Sequence, residues 1–228
     1  QHRLQELCAT LQQRARKIAT GSQEGIDFLS DLIGNTKDPL QYTPKCQVVQ
    51  MSDCVDLAMR TGNFVGHHAR IHVDTSENFE VVGNMGLLAH VVINATENAV
   101  KNSKPTDRIE IRLQRREEGN TVSIYNTSST TLEKDVLHVF DLDFTRARGG
   151  TGTGLAFSKW AVEQMDGKAR AWSMPGKSTC FAYTFPCVTA QRRQEAQRRS
   201  EKEDVYKQLD EALRKQREAQ QARWAARD

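Results

Sequence analysis

The chain has 228 residues and a mass of 25.8 kDa, with 38% apolar residues, 27% charged residues and a formal net charge of +3. This length allows one domain with an ordinary core or two small ones, and it excludes a miniprotein held together by disulfide bonds. The five cysteines form no CxxC pair and have no His at metal-ligand spacing, so neither a disulfide framework nor a zinc site is expected.

The first 50 residues are predicted to contain a helix and a connector. Four apolar residues near the start follow heptad spacing, interrupted by one arginine: Leu4, Leu7, Leu11 and Ile18. A narrow apolar stripe of this kind is typical of a helix that packs against a partner helix. Pro39 and Pro44 then mark the connector.

Residues 51–188 alternate between helix-like and strand-like stretches. The predicted order is helix 52–60, strands 69–73 and 79–82, helix 84–103, strands 108–114 and 121–125, helix 153–165, and strands 169–174 and 179–185. Such a series predicts an α+β domain, a two-layer α/β sandwich in which helices cover one face of an antiparallel or mixed sheet.

The composition changes after Pro186 to Gln, Arg, Glu and Ala. Residues 190–228 hold 11 Lys and Arg against 8 Asp and Glu, so the rest of the chain, with 21 of each sign, is neutral. This pattern predicts a charged helical extension or linker over residues 189–228. A neutral body and a tail of mixed sign do not indicate a basic face, so no nucleic-acid partner is expected.

Glycines dominate residues 146–155, which read R-A-R-G-G-T-G-T-G-L and precede a predicted helix. Glycines let the backbone approach a ligand closely, and the N-terminus of a helix offers unpaired N–H groups. The segment therefore indicates a phosphate-binding loop. It differs from a Walker loop because no Lys-Ser/Thr pair follows the glycines. The alternative is a plain surface loop.

The helix predicted over residues 84–103 has a polar edge. Asn94, Asn98 and Lys101 recur at spacings of four and three, which places two amides and an ammonium group on one side of the helix. A carboxamide oxygen suits Mg²⁺, and a Lys can neutralise a phosphate. The alternative is an ordinary solvent-facing edge.

Four stretches together resemble the catalytic ATP-binding domain of sensor histidine kinases. In order, HVVINATENAVKNS (90–103), VFDLDFT (139–145), GGTGTGLAFSKWAVEQMDG (149–167) and PGKSTCFAYTFP (175–186) are similar to the family's N box, F box, G2 box and closing strand. The resemblance covers about residues 52–186 and implies a Bergerat fold that binds ATP and Mg²⁺. A looser similarity points to hybrid kinases of the quorum-sensing type.

The resemblance also implies roles for individual residues. Asn98 would bind Mg²⁺, Asn94 and Lys101 would contact phosphates or the metal's waters, and Phe140 and Phe144 would anchor a lid. The remaining nucleotide-binding residues would be Asn126, Thr145, Arg146, Arg148, Gly150, Thr151, Gly152, Thr153, Gly154 and Leu155.

The chain departs from the family's pattern at two places. The G1 box, residues 125–131, reads Y-N-T-S-S-T-T, with Asn126 where the family has Asp and hydroxylated residues in place of glycines. This predicts weakened nucleotide affinity, because the charge on the adenine contact is lost and side chains restrict the backbone. No histidine fits the phosphoacceptor motif, which predicts that the acceptor lies upstream.

A third position separates this chain from ATP-hydrolysing relatives of the fold. The resemblance implies that gyrase, MutL and the Hsp90 chaperones carry a Glu, the general base for water, where this chain has Asn94. An amide cannot abstract a proton, so phosphoryl transfer to a protein is favoured over ATP hydrolysis.

The resulting functional prediction is the catalytic part of a two-component sensor histidine kinase. It would transfer the γ-phosphoryl group of ATP to a His on a dimerisation helix absent from this chain. Expected partners are a second copy, through the N-terminal helices, and a response regulator or receiver domain. A cytoplasmic location is expected, with any membrane contact made through other segments. The alternative is a pseudokinase, deficient in nucleotide binding, that serves as a dimerisation and docking module.

Overall fold

A computed structural model of the chain describes residues 46–127, 138–141, 154–174 and 176–201. The predicted dimerisation helix, most of the glycine-rich segment and the tail beyond residue 201 lie outside the described residues.

Helices and strands alternate through the described part of the chain. In order they are β1 (Gln47–Gln50), α1 (Met51–Thr61), a 3-10 turn (His68–Arg70), β2 (Ile71–Asp74), β3 (Glu80–Gly83), α2 (Met85–Lys101), β4 (Ile109–Gln114), β5 (Asn120–Asn126), α3 (Gly154–Glu163), β6 (Lys168–Met174), β7 (Ser178–Phe185) and a final helix, α4 (190–201). Most bounds lie within two residues of the predicted ones.

The strands form two sheets. Five strands make a mixed sheet in the order β2-β4-β5-β7-β6, in which β2 and β4 are parallel and the other pairs are antiparallel. The strands β1 and β3 form a separate antiparallel pair. The two strands predicted on either side of the turn at 74–78 therefore belong to different sheets, and β1 was not predicted because only two of its four residues are apolar.

One face of the large sheet forms the core with the helices. Alternate residues of β4 and β5, such as Ile111 and Ile124, are fully buried there, whereas their neighbours in sequence face away. The helices α1, α2 and α3 supply the opposing apolar side chains. This arrangement confirms the predicted two-layer α/β sandwich.

The helix α2 is held at both ends. Asn84 caps its N-terminus, because the side-chain oxygen accepts a hydrogen bond from the N–H of Leu87 at 3.0 Å. At the other end the guanidinium of Arg70 donates to the carbonyl oxygens of Val100 at 3.2 Å and Lys104 at 2.6 Å. These contacts satisfy acceptors that a helix C-terminus otherwise leaves unpaired.

The final helix packs on the body of the domain. The Arg192 guanidinium donates to the Asp166 carboxylate at 2.7 Å, Arg193 pairs with Glu80, and Ala196 is buried. Residues 190–201 of the predicted extension are thus a helix that is docked on the domain. None of the helices in the described part of the chain is both long and apolar enough to span a bilayer.

Candidate nucleotide-binding site

The polar edge of α2 lies against the start of α3. Asn94 is 3% exposed, and its amide nitrogen donates to the carbonyl oxygen of Gly154 at 3.0 Å and to the hydroxyl of Ser158 at 3.3 Å. Gly154 is the last glycine of the glycine-rich segment and the first residue of α3. The fold therefore brings the amide-bearing helix directly against the end of the glycine-rich segment.

The contact explains why an amide suits this position. Gly154 presents a carbonyl oxygen, which accepts hydrogen bonds and cannot donate one. An amide nitrogen satisfies that oxygen, whereas an ionised carboxylate at residue 94 would face it with a second acceptor. Asn94 thus ties α2 to α3, and an acidic residue could do so only when protonated.

Hydroxyl groups extend this contact toward the sheet. The Ser158 hydroxyl donates to the Gly154 carbonyl at 3.0 Å and lies beside the hydroxyl of Tyr183 on β7. Burial raises the pKa of Tyr183, and the Ser158 hydroxyl offsets a smaller part of that rise. The Ser158 hydroxyl accepts from Asn94 on α2 and donates to Gly154 on its own helix, so it strengthens the tie between α2 and α3.

Asn98 and Lys101 lie further along the same edge and are more exposed. The amide nitrogen of Asn98 donates to the backbone oxygen of Asn94 at 2.7 Å, so a metal ion would be bound by the side-chain oxygen. Lys101 is 58% exposed and forms an ion pair with Glu97 at 3.1 Å. This solvent-exposed pair is weak, and Lys101 can exchange Glu97 for a phosphate at little cost.

Asn126 is the last residue of β5, and its side chain lies on the face of the large sheet that packs against the helices. Its side chain is 1% exposed, and it is paired in register with Ile109 and Thr179. Immediately after it, the N–H of Thr127 donates to the carbonyl oxygen of Arg108 at 3.1 Å. The contact with adenine that was predicted for Asn126 remains a prediction.

The other residues predicted to bind the nucleotide lie partly inside and partly outside the described residues. Leu155, in the first turn of α3, is packed against the core, and Phe140 places its ring 6.4 Å from that of Tyr183 in a T-shaped contact. Phe144, Thr145 and six residues named from the glycine-rich segment lie outside the described residues; the six are Arg146, Arg148, Gly150, Thr151, Gly152 and Thr153.

The possible metal ligands in the described part of the chain suit a Mg²⁺ ion that takes most of its ligands from a nucleotide and from water. Within residues 46–127, 138–141, 154–174 and 176–201, no group of three His, Cys, Asp or Glu side chains could bind a metal ion. Mg²⁺ commonly takes one or two protein ligands and completes its shell with waters and phosphate oxygens. The side-chain oxygen of Asn98 suits that role.

Sequence reasoning missed two residues that support this site. Ser158 lies four residues after Gly154, so the two residues share one face of the helix. This spacing was the signal in the sequence that could have revealed Ser158. Arg70 was assigned to a strand, and its contacts with Ser103, Lys104 and Asp107 depend on a fold that no local pattern reveals.

Comparison with known proteins shows which proteins the chain resembles. Residues 83–189 match the family described as histidine kinase-, DNA gyrase B- and HSP90-like ATPases. The sensor-like histidine kinase SenX3 of Mycolicibacterium smegmatis is 26% identical over 188 residues, which cover 78% of this chain and 48% of that protein. The sensor protein SrrB of Staphylococcus aureus is 31% identical over 109 residues, 45% of this chain and 19% of SrrB. The chain spans about half the length of SenX3.

Solved structures share the fold. The catalytic domain of histidine kinase ThkA superposes with a TM-score of 0.53 at 19% identity, covering 62% of this chain and 95% of that domain. Acinetobacter baumannii histidine kinase AdeS gives a TM-score of 0.52 at 17% identity, covering 82% of this chain and 98% of that structure. The chain therefore shares the fold of these catalytic domains, its residues 83–189 resemble a histidine kinase-, DNA gyrase B- and HSP90-like ATPase domain, and the curated relatives it matches are named sensor-like histidine kinases or sensor proteins.

Proposed function

We propose that this chain is the ATP-binding catalytic part of a sensor histidine kinase. It would bind Mg-ATP and transfer the γ-phosphoryl group to a histidine of a dimerisation helix. The observation that carries the proposal is the hydrogen bond from Asn94 to Gly154, which joins the amide edge of α2 to the end of the glycine-rich segment. The family match over residues 83–189 supports it.

The residues would act by positioning and charge neutralisation, which supply most of the catalysis in phosphoryl transfer. Bound Mg²⁺ would neutralise charge on the phosphates. Asn98 would hold the ion through its side-chain oxygen, and Lys101 would attract a phosphate. Asn94, whose amide nitrogen is already bonded to Gly154 and Ser158, would keep α3 in place.

We further propose the setting in which this activity operates. Residues 51–188 would form the catalytic domain, residues 1–50 part of the dimerisation helix and its connector, and residues 189–228 the extension. The chain would pair with a second copy through its N-terminal helices, deliver its phosphoryl group to a response regulator or receiver domain, and work in the cytoplasm.

Calorimetric titration with a non-hydrolysable ATP analogue tests the proposal. In the presence of Mg²⁺ we expect a Kd in the micromolar range, and Asn98→Ala should weaken it at least about tenfold, because the variant lacks the oxygen that binds the metal. Asn63→Ala is the matched control, since Asn63 is an exposed amide in the loop after α1.

Two results would contradict the proposal. No heat at millimolar nucleotide would favour the pseudokinase, a docking module that has lost the G1 contact. Steady release of phosphate from ATP by the chain alone would instead indicate an ATP-hydrolysing enzyme, despite the amide at residue 94.

A further inference from the structure

A cavity lies on the face of the large sheet that points away from the helices. This cavity, the trough, has a volume of about 680 Å³ and is formed by the outward-facing residues of β4, β5, β7 and β6. It lies on the opposite layer from Asn94 and Asn98, so the nucleotide site does not account for it.

The strand register explains the shape. Apart from Tyr125, the two central strands, β5 and β7, carry small side chains on this face, as at Ser123 and Ala182, which are directly paired. The two flanking strands carry long ones: Arg112 on β4 is paired with Ser123, and Arg170 on β6 is paired with Ala182. Small residues therefore form the floor, and the two arginines stand on opposite walls.

The width of the trough suits an α-helix. The walls are three strand spacings apart, about 14 Å between backbones. A helix with its side chains is about 10–12 Å across. The seven residues of β5 give the floor a length of roughly 23 Å, which a helix of about 15 residues matches.

The lining selects for negative charge. Four cations (Arg112, Arg116, Lys168 and Arg170) and two carboxylates (Glu110 and Glu118) line the trough. The Arg112 guanidinium donates to Glu110 at 2.7 Å, which largely neutralises both. The cations on β6 belong to the opposite wall, so the excess of positive charge is concentrated there.

Aromatic side chains provide an apolar end. Trp172 on β6 is 49% exposed and lies in the same cross-strand row as Tyr125, and Met174, two residues after Trp172 on the same face, is 53% exposed. Trp, Tyr and Arg are the residues that most often dominate the binding energy of protein interfaces. A half-exposed Trp on an edge strand would be covered by a ligand with apolar side chains.

We propose that this trough is a docking site for an acidic, amphipathic α-helix of a partner protein. The helix would lie along β5 and β7, with carboxylates toward Lys168 and Arg170 and apolar side chains toward Trp172. It would add a third layer to the sandwich. Nucleic acid is the less favoured occupant, because its backbone is charged along its whole length and would also face Glu118, whereas an amphipathic helix can keep its carboxylates on the side of Lys168 and Arg170.

Fluorescence anisotropy of a labelled probe peptide tests the docking site on the full chain. The probe is a helical peptide of about 18 residues, built from Leu, Ala and Glu with Leu at every third or fourth position. We expect a Kd below about 100 μM that weakens as salt is added, and quenching or a shift of Trp fluorescence on binding.

Three variants locate the site on the trough. Arg170→Glu should weaken binding at least about tenfold because it reverses the charge on one wall, and Trp172→Ala should weaken it about fivefold or more. Arg60→Glu, an exposed charge reversal on α1 in the helical layer, should leave the Kd unchanged. Circular dichroism melts verify that each variant is folded.

Three outcomes would overturn the proposal. The first is a Kd of about 1 mM or weaker for the acidic probe. The second is equal binding of a probe in which every Glu is Lys, since the trough then would not select charge. The third is stronger binding of a single-stranded oligonucleotide than of the probe, which would assign the face to a nucleic acid.

Discussion

Asn94 is a buried side chain whose amide group matches the hydrogen-bonding groups around it. Its amide nitrogen donates to the Gly154 carbonyl and the Ser158 hydroxyl, and all three residues join the N-terminus of α3 to α2. A carboxylate of nearly the same shape could accept from Ser158 but would lie against the Gly154 oxygen without a proton. The Asn94 side chain therefore suits its neighbours for two reasons: its amide nitrogen can donate hydrogen bonds, and it carries no charge.

Asn94→Asp tests this match with an almost isosteric change. At about pH 8 we expect the free energy of unfolding to fall by roughly 2–4 kcal/mol, because a buried carboxylate is left against an acceptor. The loss should shrink as pH falls, since a protonated Asp can donate to Gly154 again. Urea unfolding of both proteins between pH 5 and pH 8 measures the difference.

Ser158→Ala provides the uncharged comparison. It removes one hydroxyl while Gly154 keeps its bond to Asn94, so about 1 kcal/mol should be lost with no dependence on pH in this range. A loss for Asn94→Asp that stayed constant between pH 5 and pH 8 would contradict the role assigned to the amide donor.

The helix α2 owes its position to contacts at its ends as well as to its apolar face. Arg70 reaches from the turn before β2 to the carbonyl oxygens of Val100, Lys104 and Asp107 and to the hydroxyl of Ser103. A cation at a helix C-terminus also interacts favourably with the helix dipole. The last turn of α2, which carries Asn98 and Lys101, is thereby fixed to the sheet.

Arg70→Ala should destabilise this end of the helix more than an ordinary surface substitution. We expect a loss of about 1–3 kcal/mol, because several acceptors lose a charged donor. In the unsubstituted protein the N–H groups of Asn102 and Asp107 donate to the carbonyl oxygens of Asn98 and Lys104. The rate of hydrogen exchange at these two N–H groups should rise in Arg70→Ala. Arg70→Lys keeps the charge but not the planar guanidinium, so its loss of stability should be smaller than that of Arg70→Ala but still measurable. Unchanged exchange in Arg70→Ala would contradict the role.

The whole molecule should lose stability in alkali. Burial raises the pKa of the thiols of Cys54 and Cys180 to about 12, and it raises that of Tyr183 as well. Above about pH 9 the unfolded chain releases these protons while the folded chain keeps them. The unfolded state then binds fewer protons, so the free energy of unfolding decreases as pH rises.

Chemical unfolding between pH 7 and pH 11 measures this dependence. The free energy of unfolding should be nearly level below about pH 8 and fall progressively above about pH 9. Cys180→Ala should make the fall shallower, since one buried thiol is removed. A free energy that is unchanged up to pH 11 would show that these groups ionise equally in both states.

Several elements were predictable because their signal is local. The helix predicted over 84–103 is present as Met85–Lys101, and the strand predicted over 179–185 as Ser178–Phe185. The helix buries its apolar face in the core, which gives its sequence a helical period, and the strand is buried along nearly its whole length, which gives a short run of mostly apolar residues. The short strand β1 and the 3-10 turn at His68–Arg70 bury too few residues to show one.

The site was predictable only in part, for a related reason. Asn94, Asn98 and Lys101 are spaced on one helix, so their common edge follows from helical geometry. The bond from Asn94 to Gly154 spans 60 residues, and the contact of Arg70 with Val100 spans 30. No local pattern encodes such a distance.

The amino-acid sequence by itself determined the types of most elements, the α+β class, the polar edge of α2 and the ordered motifs of the ATP-binding domain. The tertiary structure decided the pairing of β2 with β4 and of β1 with β3, the tie between α2 and α3, and the trough on the outer face. The difference has one physical cause. Periodicity reports which face of an element is buried, whereas partner strands and long-range hydrogen bonds are chosen only when the chain packs as a whole.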